Sequence, residues 1–113
     1  MSMTKTCQIY NNTGASIMIS SIDKVNDDAT FDSTGYDYIQ PGQSIMIEMG
    51  NHSFLPKGTG FNLTFSCNGE DGGIKLDVPG VGPHSFTYEN QSAFSYEEVY
   101  DEYADFCIKV NLA

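Results

Sequence analysis

The clearest periodicity in the chain lies over residues 61–67, where Phe61, Leu63, Phe65 and Cys67 alternate with Asn62, Thr64 and Ser66. A period of two places one set on each side of an extended backbone, so the segment predicts a strand with one apolar and one polar face. The same pattern, less clean, recurs over 44–49, with Ile45, Ile47 and Met49 against Ser44, Met46 and Glu48. Residues 4–11 and 15–22 are strand-like and separated by the turn cluster Asn-Asn-Thr-Gly. Residues 36–39 predict a short strand stopped by Pro41-Gly42, a pair suited to a type II turn. Residues 68–73 predict a Gly-rich hairpin turn with its returning strand at 74–78, followed by strands at 84–90 and 105–112. Polar residues 23–35 and the segment 50–60 read as loops. Pro79, Gly80, Gly82 and Pro83 break the pattern again, because neither proline can donate to a central ladder.

About eight short strands at short intervals predict an all-β fold, a single antiparallel β-sandwich spanning 1–113 as one domain. Ile9, Ile17, Ile19, Ile45, Ile47, Phe61, Leu63, Phe65, Ile108 and Val110 are its expected core. One segment leaves alternatives open. Tyr96, Val99, Tyr100 and Tyr103 follow helical spacing, which admits a short helix near 94–104. Like charges four apart at 97/101, 98/102 and 101/105 oppose it, and an irregular acidic loop is the other reading.

The 113 residues carry 15 Asp and Glu against 5 Lys and no Arg, a formal net charge of −10. Such a balance argues against nucleic acid, which needs clustered cations, and against electrostatic attraction to anionic lipid. Contact with a membrane would then rest on zwitterionic headgroups and on apolar or aromatic side chains. The amino-terminal MSMTKTCQIY has no stretch of signal-peptide length, so the expectation is a cytoplasmic protein or one released without a classical signal. Asn-x-Ser/Thr triplets at Asn11, Asn51, Asn62 and Asn90 are too common in such a composition to mean much. The three cysteines, Cys7, Cys67 and Cys107, show no zinc spacing. They read either as reduced core thiols or, being odd in number, as candidates for inter-chain disulfides.

No catalytic constellation stands out: His52 and His84 lie in Gly/Pro-rich loops, and no glycine motif is shaped for phosphate. No cofactor and no enzymatic activity are expected. Calcium has weak candidates in Asp27, Asp28, Asp101 and Asp105. Residues 26–31 partly resemble the calcium motif of βγ-crystallins, with Phe31 at the place of its final Ser. Solvated acidic loops are the plainer reading. Tyr36 and Tyr38, with the cluster Tyr96, Tyr100 and Tyr103, are hard to absorb into a core. A tyrosine-lined acidic rim suits a sugar, a choline-type headgroup or another copy of the chain, and packing into the core is the plainer reading.

Four stretches carry a resemblance. IYNNTGASIMISSI, IQPGQSIMIEMG, GTGFNLTF and LDVPGVGPHSFTY follow in order a strand with Asn-x-Thr, a Pro-Gly turn before an Ile-rich strand, a G-T-x-G step and a D-x-P-x-x-G loop. In this order over residues 7–90 the chain resembles the aegerolysins, small acidic β-sandwich proteins. The resemblance implies a non-enzymatic protein that recognises membrane sphingolipids, in some cases with a separate pore-forming partner in a cytolytic system. It places Asp77, Pro79 and Gly82 in a lipid-facing loop. Members commonly carry tryptophans around that loop, whereas this chain has none and places Val78 and Val81 there. The expected partner is therefore membrane lipid. The alternative function is a self-assembling, crystal-forming structural protein whose partner is another copy of itself.

Overall fold

The computed structural model describes residues 5–25, 29–32, 37–51, 58–102 and 105–113. Ten strands follow one another: β1 (Lys5–Asn11), β2 (Ile17–Lys24), β3 (Ala29–Asp32), β4 (Tyr38–Ile39), β5 (Ser44–Asn51), β6 (Thr59–Cys67), β7 (Glu70–Val78), β8 (Ser85–Glu89), β9 (Phe94–Glu102) and β10 (Asp105–Leu112). They form two five-stranded sheets, one ordered β3-β5-β1-β10-β9 and the other β4-β2-β6-β7-β8. The fold is the expected all-β sandwich, with two strands more than the pattern suggested. β3 pairs with β5 along Ala29↔Asn51 to Asp32↔Glu48, although its surroundings are polar. An edge strand has only one neighbour to satisfy, and a partner ladder overrides a weak local preference.

The alternation of 61–67 becomes the middle strand of its sheet. Phe61, Leu63, Phe65 and Cys67 are buried, and β6 is flanked by β2 and β7. Facing them across the sandwich are Ile9, Ile45, Ile47, Ile108 and Val110. At roughly 25 cal/mol per Å² of apolar surface removed from water, these layers are the main source of stability. Ile19 alone of the expected core is only partly buried. Ile19 stays on the core face opposite Phe65, and the pairing of β2 with β6 slips just beyond it, leaving Ser20 as the extra residue before Ser21.

Three expectations change. The sheets are not wholly antiparallel, since β1 runs parallel to β10 from Thr6↔Asp105 to Asn11↔Val110. The hairpin turn is only Asn68-Gly69, both at positive φ (53° and 78°), so β7 begins at Glu70 and not at 74. Two consecutive left-handed residues make the turn whose twist matches that of the flanking strands. Residues 94–102 are β9 and not helix. Phe94 and Tyr96 turn inward with period two, paired to Leu112 and Val110 of β10. In a strand its acids no longer stack four apart, and the edge position leaves Glu97 and Glu98 exposed to solvent.

Candidate functional site

Strand register sorts the sequence-predicted site residues to opposite ends of the sandwich. Thr59↔Val78 and Gly60↔Asp77 close one end of the β6–β7 ladder, whereas Cys67↔Glu70 closes the other. Asp77, Pro79 and Gly82 therefore belong to the first end. Tyr38 pairs with Met18, which pairs with Ser66, so it belongs to the second. Tyr36 lies outside the described residues.

The loop after β7 is built by close packing at its base. A β-carbon at Gly60 would run into the Leu76 carbonyl oxygen, and one at Gly58 into that of Val78. Glycine is thus required twice in Gly58-Thr59-Gly60, because β6 and β7 approach there with no room for side chains. Between them, the Thr59 hydroxyl donates to the Gly50 carbonyl at 2.6 Å and ties β6 to β5 of the other sheet. The far side of the loop is held by His84, whose ring meets Phe106 edge-on at 4.8 Å and Phe86 at 5.9 Å. From this base Pro79, Gly80, Val81, Gly82 and Pro83 stand exposed, with Gly82 at φ 102°. Val81 is 82% exposed, the most of any large hydrophobic among the described residues.

From His84 a row of rings runs along the seam between the two edge strands. Phe86 stacks on Tyr88 (5.9 Å), and Tyr88 on Tyr96 (4.7 Å). The Tyr88 hydroxyl donates to Glu98 Oε1 at 2.8 Å, and that of Tyr96 to the Glu89 carbonyl at 2.7 Å. Burial raises the Tyr96 phenol above its ordinary value. This tyrosine is thus a structural strut, and the core reading of it holds.

The outer face of β2, β6, β7 and β8 carries small polar side chains in rows set by register: Asp23, Asn62, Lys75 and Thr87 in one, Ser21, Thr64, Gly73 and Glu89 in the next. Toward the second end this face sinks into an open depression of about 440 Å³. Ser20 and Thr64 line it on one side and Asp71, Glu89 and Asn90 on the other, over the buried Phe65 and Gly72. Sequence reasoning missed it, because its residues come from four separate segments. The only trace was the uniformly small polar outer face of β6.

The structure places all three candidate cysteines inside the sandwich. Cys7, Cys67 and Cys107 are unpaired and buried at 0%, 2% and 6% exposure. Burial raises the thiols of Cys7 and Cys107 above their usual range, which keeps them protonated and unreactive. A bridge between copies would require the sandwich to open. Of the calcium candidates, Asp27 and Asp28 lie outside the described residues, as does the side chain of Asp101. Asp105 accepts a hydrogen bond from the Thr6 hydroxyl at 2.7 Å. Among the described residues no three His, Cys, Asp or Glu side chains converge on a common point. No described helix is long and apolar enough to cross a membrane.

No protein-family model matches the sequence, and no curated protein is detectably similar to it. Solved structures do match in shape. IP-1A from Alcaligenes faecalis superposes with a TM-score of 0.71 at 10% identity, over 97% of this chain and 91% of that one. RahU, crystallised in complex with a TRIS molecule, gives 0.68 at 9% identity over 96% and 94%. Both are small β-rich proteins of aegerolysin-like fold, and at such identities the likeness carries the fold alone.

Proposed function

We propose that this chain is a non-enzymatic binding protein that recognises sphingolipid-containing membrane, docking through the loop 79–84. The observation that carries the reading is Val81. An aliphatic side chain is held out in water between two prolines and two glycines, above a close-packed loop base. Burying one such side chain contributes about 1.5–3 kcal/mol, so a single valine gives a weak anchor that needs a second contact. Asp77, exposed on the same end, can accept a hydrogen bond from a headgroup hydroxyl, amide or ammonium. The charge of −10 favours zwitterionic over anionic surfaces. The shared fold with IP-1A and RahU agrees with the aegerolysin resemblance and adds nothing about the ligand.

Co-sedimentation with vesicles of phosphatidylcholine, with and without sphingomyelin, tests this reading. The protein is expected to pellet with the sphingomyelin vesicles, and Val81→Asp to weaken that binding about tenfold or more, the equivalent of the lost burial. Equal supernatant fractions with and without sphingomyelin would remove the lipid reading.

A further inference from the structure

The depression on the outer face of β2, β6, β7 and β8 lies at the end opposite Val81 and takes no part in the membrane reading. Its volume of about 440 Å³ is within the range of small-molecule sites, about 300–1,000 Å³. Its walls are stiff. Thr64 and Ser21 share a hydrogen bond of 2.6 Å across β6 and β2. Asn90, at φ 60°, donates its amide to the Asp71 carbonyl at 2.7 Å and accepts from the Ser92 hydroxyl at 2.9 Å, locking the β8–β9 turn onto β7. The Glu89 backbone is held by the Tyr96 hydroxyl.

Against these fixed walls, the side chains of Ser20, Asp71 and Glu89 make no hydrogen bond among the described residues. They leave one hydroxyl and two carboxylates directed to solvent around a single hollow. Thr64 adds a second hydroxyl, and no cationic residue lines the hollow.

We propose that this depression is a polyol site that holds one saccharide-sized ligand, with Asp71 and Glu89 accepting hydrogen bonds from its hydroxyls and Ser20 completing the set. The chemistry selects the class. Two carboxylates in a molecule of charge −10 repel phosphate, sulfate or carboxylate ligands. The lining presents carbon as well as these oxygens, a mixed surface that suits the C–H and O–H faces of a sugar better than a wholly apolar ligand. A neutral polyol supplies several donors at once, and hydrogen bonds to a carboxylate are the stronger kind. The backbone walls are pre-formed, so the ordering left to binding is that of the Ser20, Asp71 and Glu89 side chains. Lys75, one row away on the same face, is the nearest cation along β7 and lies outside the lining.

Amide NMR of the whole chain in phosphate buffer, titrated with glucose, galactose, mannose and N-acetylglucosamine, and with glucuronate as the anionic control, tests the site. At least one neutral sugar is expected to give saturable millimolar shifts at Thr64, Asp71–Gly72 and Glu89–Asn90, while glucuronate gives none. Glu89→Gln and Asp71→Asn, both on exposed side chains and checked for native spectra, should each weaken binding about tenfold, the cost of one charge-assisted hydrogen bond. Val81→Asp should leave it unchanged, which separates this site from the membrane reading. Absence of shifts with all four neutral sugars, or equal shifts with glucuronate, overturns the proposal.

Discussion

Asn11 shows how much one side chain can hold. It is fully buried, yet all of its polar atoms are used. Its amide donates to the carbonyls of Ala15 and Ile39, both at 2.7 Å, and its Oδ1 accepts from the Thr13 amide (3.0 Å) and hydroxyl (2.7 Å). The Asn-x-Thr triplet is thus a turn device joining β1, β2 and β4, and its asparagine is inaccessible to a glycan. Asn11→Ala orphans buried groups at about 1–3 kcal/mol each, so a loss of about 2–4 kcal/mol is expected from urea midpoints. The thiols make a second prediction at this scale. Cys7 and Cys107 have raised pKa values in the folded state, so the folded chain keeps protons that the unfolded chain gives up. Their contribution is complete below the ordinary thiol range and is lost as pH rises above about 8.5, at up to about 1.4 kcal/mol per unit per thiol. Urea midpoints should fall from pH 8 to pH 10, and the fall should shrink in Cys7→Ala. Non-reducing electrophoresis of the native protein should show a monomer band, whereas a reductant-sensitive oligomer would restore the inter-chain disulfide reading.

At the scale of elements, two glycines that look alike in sequence separate in the structure. Gly60, at φ 147°, faces the Leu76 carbonyl, and alanine there should cost about 2–4 kcal/mol through both clash and strain. Gly69, at φ 78°, has open space where a β-carbon would go, and alanine there should cost only about 1–2 kcal/mol. Thermal melts of the two variants check the order. Strand pattern carried most of the fold because a core layer must alternate: 61–67 and 44–49 could hardly be read otherwise. β9 was not legible for a physical reason. Its tyrosines and acids satisfy helical spacing as well as strand spacing, and only the ladder with β10 decides between them. β3 was hidden because an edge strand needs little hydrophobicity of its own.

At the scale of the whole molecule, register decides what composition and motifs could not. The stretch DVPGVGPHSF was legible as a break with an exposed loop, and its Asp77, Pro79 and Gly82 do share one end. Tyr38, a candidate for an aromatic binding rim, lies at the other end beside Met18, both exposed. The polyol depression was invisible because its walls meet only after β2, β6, β7 and the β8–β9 turn are assembled. In the proposed membrane reading it is the Val81 end, and not the Tyr38 end, that docks. The native thiols are all buried, so an environment-sensitive fluorophore can be placed selectively through Val81→Cys or, separately, Tyr38→Cys. On adding sphingomyelin vesicles, the probe at position 81 should shift to the blue and that at position 38 should not. A shift at position 38 with none at position 81 would overturn docking through Val81.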